Sequence, residues 1–78
     1  MDKKIFELAQ EALEDFTEAI TLNPNNVENY YLRGNINYDL GHYQAAFQDF
    51  TKAININPDL SIADYYRDLA LDELKRSR

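Results

Sequence analysis

Residues 12–24, Ala-Leu-Glu-Asp-Phe-Thr-Glu-Ala-Ile-Thr-Leu-Asn-Pro, return as residues 46–58, Ala-Phe-Gln-Asp-Phe-Thr-Lys-Ala-Ile-Asn-Ile-Asn-Pro, with eight of thirteen positions identical at a shift of 34. A period between roughly 20 and 50 residues is the signature of chains built from stacked supersecondary units, each burying its apolar face against its neighbours. A unit of this length holds two helices and two turns. The 78-residue chain therefore has room for about two units and one domain, 1–78. A fold this small buries only ~60% of its unfolded surface, so it rests on few contacts.

The apolar spacing inside each copy is helical. Ile5, Leu8, Ala9, Ala12, Leu13, Phe16, Ala19 and Ile20 advance by threes and fours, with Glu7, Glu11, Glu14 and Glu18 opposite. Tyr43, Ala46, Phe47, Phe50, Ala53 and Ile54 do the same in the second copy. Both runs stop at Asn-Pro, where the proline steers the preceding asparagine out of helical dihedrals. A further helix is predicted from Val27 to Leu40, with Asn25 as N-cap, Glu28 as its capping-box partner and Gly41 ending it. A last one is predicted from about Ser61 to Lys75, capped by Asp59 or Ser61, with Lys75 and Arg76 near its negative end. The charged tail Ser77-Arg78 follows it.

Charge and composition narrow the function. Fourteen Asp and Glu against eight Lys and Arg give a net charge of -6, which repels phosphate backbones and anionic lipid, so neither nucleic acid nor membrane is an expected partner. There is no cysteine, hence no disulfide, thiolate nucleophile or thiolate metal site. Met1-Asp2-Lys3-Lys4 leads into an amphipathic stretch rather than an apolar core, so a signal peptide and a spanning helix are not expected and a cytoplasmic setting is.

At this point the sequence resembles the tetratricopeptide repeat family. With Val27 as first residue of a unit, the family pattern is met by Tyr30 and Gly34, by Gly41 and Tyr43 at the turn, and by Ala46, Phe50, Ala53 and Pro58. Ala12, Phe16, Ala19 and Pro24 match only the second helix of a preceding unit. The resemblance implies an all-α fold of antiparallel hairpins from an α-solenoid: 3–22 as helix of a partial repeat, 27–58 as full repeat, 61–76 as capping helix. Gly34 and Ala46 are expected where two helices approach to ~8–10 Å, with Tyr30 and Phe50 filling the space around them. Arg33 and Asn37 stand where the family carries Leu and an aromatic residue, both facing the second helix. Arg33 is therefore expected to pair with Asp49 of its own unit or Asp15 of the neighbouring one. In the last helix Asp68 replaces the close-packing Gly34, Asp64, Asp68 and Asp72 form an acidic stripe, and Tyr65 or Tyr66, Leu69 and Leu71 supply the apolar side.

Catalysis has little to stand on. His42 is the single histidine and lies in the Gly41-His42-Tyr43 turn, where an exposed structural role is the expectation, and no EF-hand spacing supports calcium on the acidic stripe. A non-enzyme without cofactors or metals is expected. The resemblance instead implies a concave face of first helices that holds a protein or peptide, with Tyr31, Asn35 and Tyr38 along one stripe, Tyr65 and Leu69 on the next helix, and Glu28, Asp39 and Asp72 beside them. Packing between helices is the competing reading of Tyr31 and Tyr38. The lysines with which some family members clamp carboxylate tails are replaced by Tyr31 and Tyr65, so a neutral or basic ligand is favoured. Replacing Tyr31 or Asn35 is expected to weaken capture while sparing the fold, and replacing Phe50 the reverse. A second reading is self-association as a homo-oligomer or array unit, because the first helix lacks its antiparallel partner and Phe6, Leu13 or Ile20 stand to be exposed.

Overall fold

The apolar periodicity becomes four helices in the computed structural model, which describes residues 2–76: α1 (Lys3–Leu22), α2 (Val27–Asp39), α3 (Tyr43–Ile56) and α4 (Ser61–Arg76). The charged tail Ser77-Arg78 lies outside the described residues. The chain forms antiparallel hairpins in which α2 packs on α3, α3 on α4 and α1 on α2, while α2 and α4 meet along a narrow seam. No described helix is long and apolar enough to cross a membrane.

The two Asn-Pro turns are built alike. The Asn23 amide N–H donates to the Ala19 carbonyl and its Oδ1 accepts from the Asn25 N–H at 3.4 Å; the Asn57 N–H donates to the Ala53 carbonyl and its Oδ1 accepts from the Asp59 N–H at 3.1 Å. Each asparagine thus closes the helix before it and folds the turn after it. The expected Asn25 cap is corrected by one residue: Asn26 caps α2, its Oδ1 accepting from the Asn29 N–H at 3.3 Å. Asn29, not Glu28, therefore holds the third helical position, and the capping box does not form. Ser61 is already helical, and Asp59 contributes its main-chain carbonyl to the Ser61 N–H at 2.9 Å. Gly41 ends α2 as expected, at φ +82°, with the His42 N–H reaching back to the Asn37 carbonyl at 2.8 Å.

Small residues form the core where helices approach. Ala46, Phe50, Ala53, Ala63 and Ala70 are wholly buried. One cluster joins Tyr30, Ala53 and Ala63, with Ile20 and Ile54 against it; the other joins Ala46, Phe50 and Ala70, with Phe47 and Tyr66 against it. Gly34 faces the Phe50 ring so closely that a Cβ on Gly34 would lie 2.7 Å from Phe50 Cε1. Tyr30 fills the neighbouring space and anchors its hydroxyl on the Pro24 carbonyl at 2.9 Å. On α4 the packed side is Ala63, Tyr66 and Ala70, whereas Tyr65 is 59% exposed; the apolar side expected through Leu69 and Leu71 is corrected, both being half-buried at its margins. α1 contributes no buried residue.

Candidate functional site

Two polar departures from the repeat pattern meet one carboxylate. Arg33 and Asn37 are one turn apart on α2, and both reach Asp49 on α3. Arg33 donates from Nε to Asp49 Oδ2 at 2.9 Å and from Nη2 to Oδ1 at 2.7 Å, and the Asn37 side-chain amide donates to Oδ2 at 3.0 Å. The fork geometry satisfies both carboxylate oxygens, which is what a buried charge requires. Of the two partners expected for Arg33, Asp49 is the one engaged and Asp15 is exposed. The hydrogen bond to Asp49 is the main cause that raises the guanidinium above its ordinary value. Sequence reasoning missed a third strand of this network: Arg33 Nη1 also donates to Thr17 Oγ1 on α1 at 3.3 Å, tying three helices together. The signal was present in the repeated Thr that follows each Asp-Phe pair.

The concave stripe is brought together only in part. Tyr31, Asn35 and Tyr38 lie on one side of α2, with Tyr31 and Tyr38 turned toward α4: the Tyr31 ring is 6.4 Å from that of Tyr66, and Tyr38 feels the Glu73 carboxylate. Tyr31 is a packing residue as well, since its ring lies 6.1 Å from Phe50 and it borders both core clusters. That corrects the expectation that replacing Tyr31 spares the fold. Tyr38 is half-buried and meets Tyr43 edge-on at 5.3 Å; burial first, and then Glu73, push its hydroxyl above the ordinary 10.0. Tyr65 stands out from α4, held edge-on to Tyr66 at 5.4 Å, and Leu69 is half-buried one turn on. Asn35 is half-buried between the two tyrosines and makes no side-chain hydrogen bond among the described residues.

Among the surface hollows away from that stripe, two lie between helices. One, between α3 and α4, is lined by Gln44, Phe47, Leu71, Leu74 and Lys75. The other lies over the Arg33–Asp49 bridge, between Leu13 and Thr17 of α1 and Ala45 and Gln48 of α3. Neither was legible in the sequence, because each depends on how neighbouring helices splay. His42 is exposed in its turn, with Nδ1 3.4 Å from Asn37 Oδ1. Asp64 takes Arg67 at 3.2 Å, and among the described residues no three His, Cys, Asp or Glu side chains come together as metal ligands.

Comparison with known proteins agrees with the hairpin geometry. A family model described as tetratricopeptide repeat matches residues 27–60, the hairpin of α2 and α3 with the turn after it. A second, described as TPR repeat, matches residues 10–41, which is α1 with α2. No curated protein and no solved structure matches the chain. The two matches overlap on α2 and follow the alternation of helices from residue 10 to residue 60, so this stretch is built of tetratricopeptide repeats, which generally mediate protein–protein interaction and are typically non-catalytic.

Proposed function

We propose that the face shared by α2 and α4 holds a short neutral or basic peptide from a partner protein. The observation that carries this reading is the Asn35 amide: half-buried, uncommitted, and flanked by tyrosines whose rings are fixed against neighbours. An amide in that position offers a donor and an acceptor to a peptide backbone at once, while the rings supply contact area with little further entropy to lose. Tyr65 and Leu69 extend the surface on α4. The net charge of -6 favours a basic over an acidic ligand through long-range attraction.

Asn35 tests this reading because its side chain makes no hydrogen bond within the fold among the described residues. Peptides selected from a display library on the intact chain should be neutral or basic, and Asn35→Ala should weaken their capture about tenfold, roughly the loss of one well-placed hydrogen bond. Thermal melting of the variant should match the parent. Selected peptides that bind equally well to Asn35→Ala would move the site elsewhere.

A further inference from the structure

The repeat supplies an internal template for a surface that the peptide face does not use. At a shift of 34, Ala12, Asp15, Phe16 and Ala19 of α1 correspond to Ala46, Asp49, Phe50 and Ala53 of α3. On α3 these four are buried between α2 and α4: Phe50 lies against Gly34 of α2 and clusters with Ala46 and Ala70, Ala53 meets Tyr30 and Ala63, and Asp49 clasps Arg33 and Asn37. On α1 the same set is open, with Asp15 exposed and the other three half-buried. Ile5 and Leu8 continue this side of the helix toward its start, 55% and 54% exposed. Of the six large apolar side chains exposed among the described residues, Ile5, Phe6, Leu8 and Leu22 all lie on α1. An apolar stripe of this length on one helix marks a contact surface.

We infer that this side of α1 docks one amphipathic helix of a partner protein, running antiparallel to α1 and carrying an arginine followed by a glycine as α2 does at Arg33-Gly34. The glycine is required because Phe16 occupies the place of Phe50, and a Cβ at Gly34 would lie 2.7 Å from the Phe50 ring. The arginine is required because Asp15 occupies the place of Asp49, whose two oxygens Arg33 takes at 2.7 and 2.9 Å. Glu7, Glu11, Glu14 and Glu18 run along the neighbouring side of α1, all exposed, and favour a basic helix further.

A second copy is a poor occupant. The α4 residues in register with Tyr30, Arg33, Gly34 and Asn37 are Asp64, Arg67, Asp68 and Leu71. Arg67 suits Asp15, but Asp68 sets a carboxylate where only a hydrogen fits, and burying it there would leave it unpaired. Two α1 helices facing each other would bring five carboxylates against five, with only Lys3 and Lys4 on each to offset them.

The probe is a labelled peptide with the sequence of residues 26–41, prepared both free and held helical by a lactam bridge on its outward side, and titrated into the intact chain by fluorescence anisotropy. Saturable one-to-one binding is expected, at least for the bridged form. Asp15→Arg in the protein should weaken it about tenfold or more. A peptide carrying aspartate in place of its arginine should regain affinity for that variant, and leucine in place of the glycine should abolish binding. Three results would overturn the inference: no saturation by either peptide, binding indifferent to Asp15→Arg, or self-association of the unmodified chain that Asp15→Arg abolishes, which would make a second copy the occupant.

Discussion

At Gly34 two demands on one residue oppose each other. Glycine inside a helix costs about 1 kcal/mol relative to alanine, so Gly34→Ala would gain that much if space allowed. Space does not allow it, because the new Cβ would meet a wholly buried Phe50 ring at 2.7 to 3.1 Å along one edge. Overpacking of a tight core costs roughly 1–3 kcal/mol and outweighs the propensity gain. Gly34→Ala should lower stability by about 1 kcal/mol net, read from the urea midpoint. Tyr38 gives a pH prediction. Its hydroxyl is raised above the ordinary 10.0, so the folded state favours the neutral phenol. That contribution is complete below pH 10.0 and is lost as pH rises through the higher folded value. Ultraviolet titration should show one phenol ionising late, and Tyr38→Phe should flatten the decline in stability above pH 10.0.

Among the elements, α1 and α3 make a natural comparison because they share a sequence and differ in surroundings. α3 is covered by α2 on one side and α4 on another, whereas α1 packs on α2 alone and has no buried residue. Local opening follows the number of buried apolar contacts, so amides of α1 should exchange with deuterium well before those of α3. Equal protection of the two would mean that α1 is covered in solution. Four helices were legible from the sequence because the period and the Asn-Pro stops are local signals. The cap of α2 was not, since Asn25 and Asn26 are chemically equal and only the path of the turn chooses between them. The expected exposure of α1 held for Phe6, at 43%, but not for Leu13 and Ile20, which are half-buried, Ile20 against the Tyr30 cluster. The Arg33–Asp49 bridge was legible because a charge facing a partner helix demands an opposite one. The double duty of Tyr31 was not, because it arises where α2, α3 and α4 converge.

For the molecule as a whole, the alternation of helices makes α4 and α1 the two open sides, and the chemistry of α4 decides whether copies can join. Changing Asp64 to Tyr and Asp68 to Gly would match three of the four register positions of α4 to those of α2, Arg67 being kept and Leu71 standing for Asn37. Such a head-to-tail contact does not close on itself, so the double variant should form open-ended assemblies. Sedimentation over a concentration range should show a ladder of masses for the variant and one size for the parent; a single size for both would mean that other features of α4 forbid the contact. The twin Asn-Pro turns carry a consequence for descent. Because Asn23 and Asn57 close their helices with the same two hydrogen bonds, a crossover between the two gene segments would insert or delete one whole brick with both joints intact. Length in such a lineage is then adjustable by recombination, in steps that leave every surviving seam already fitted.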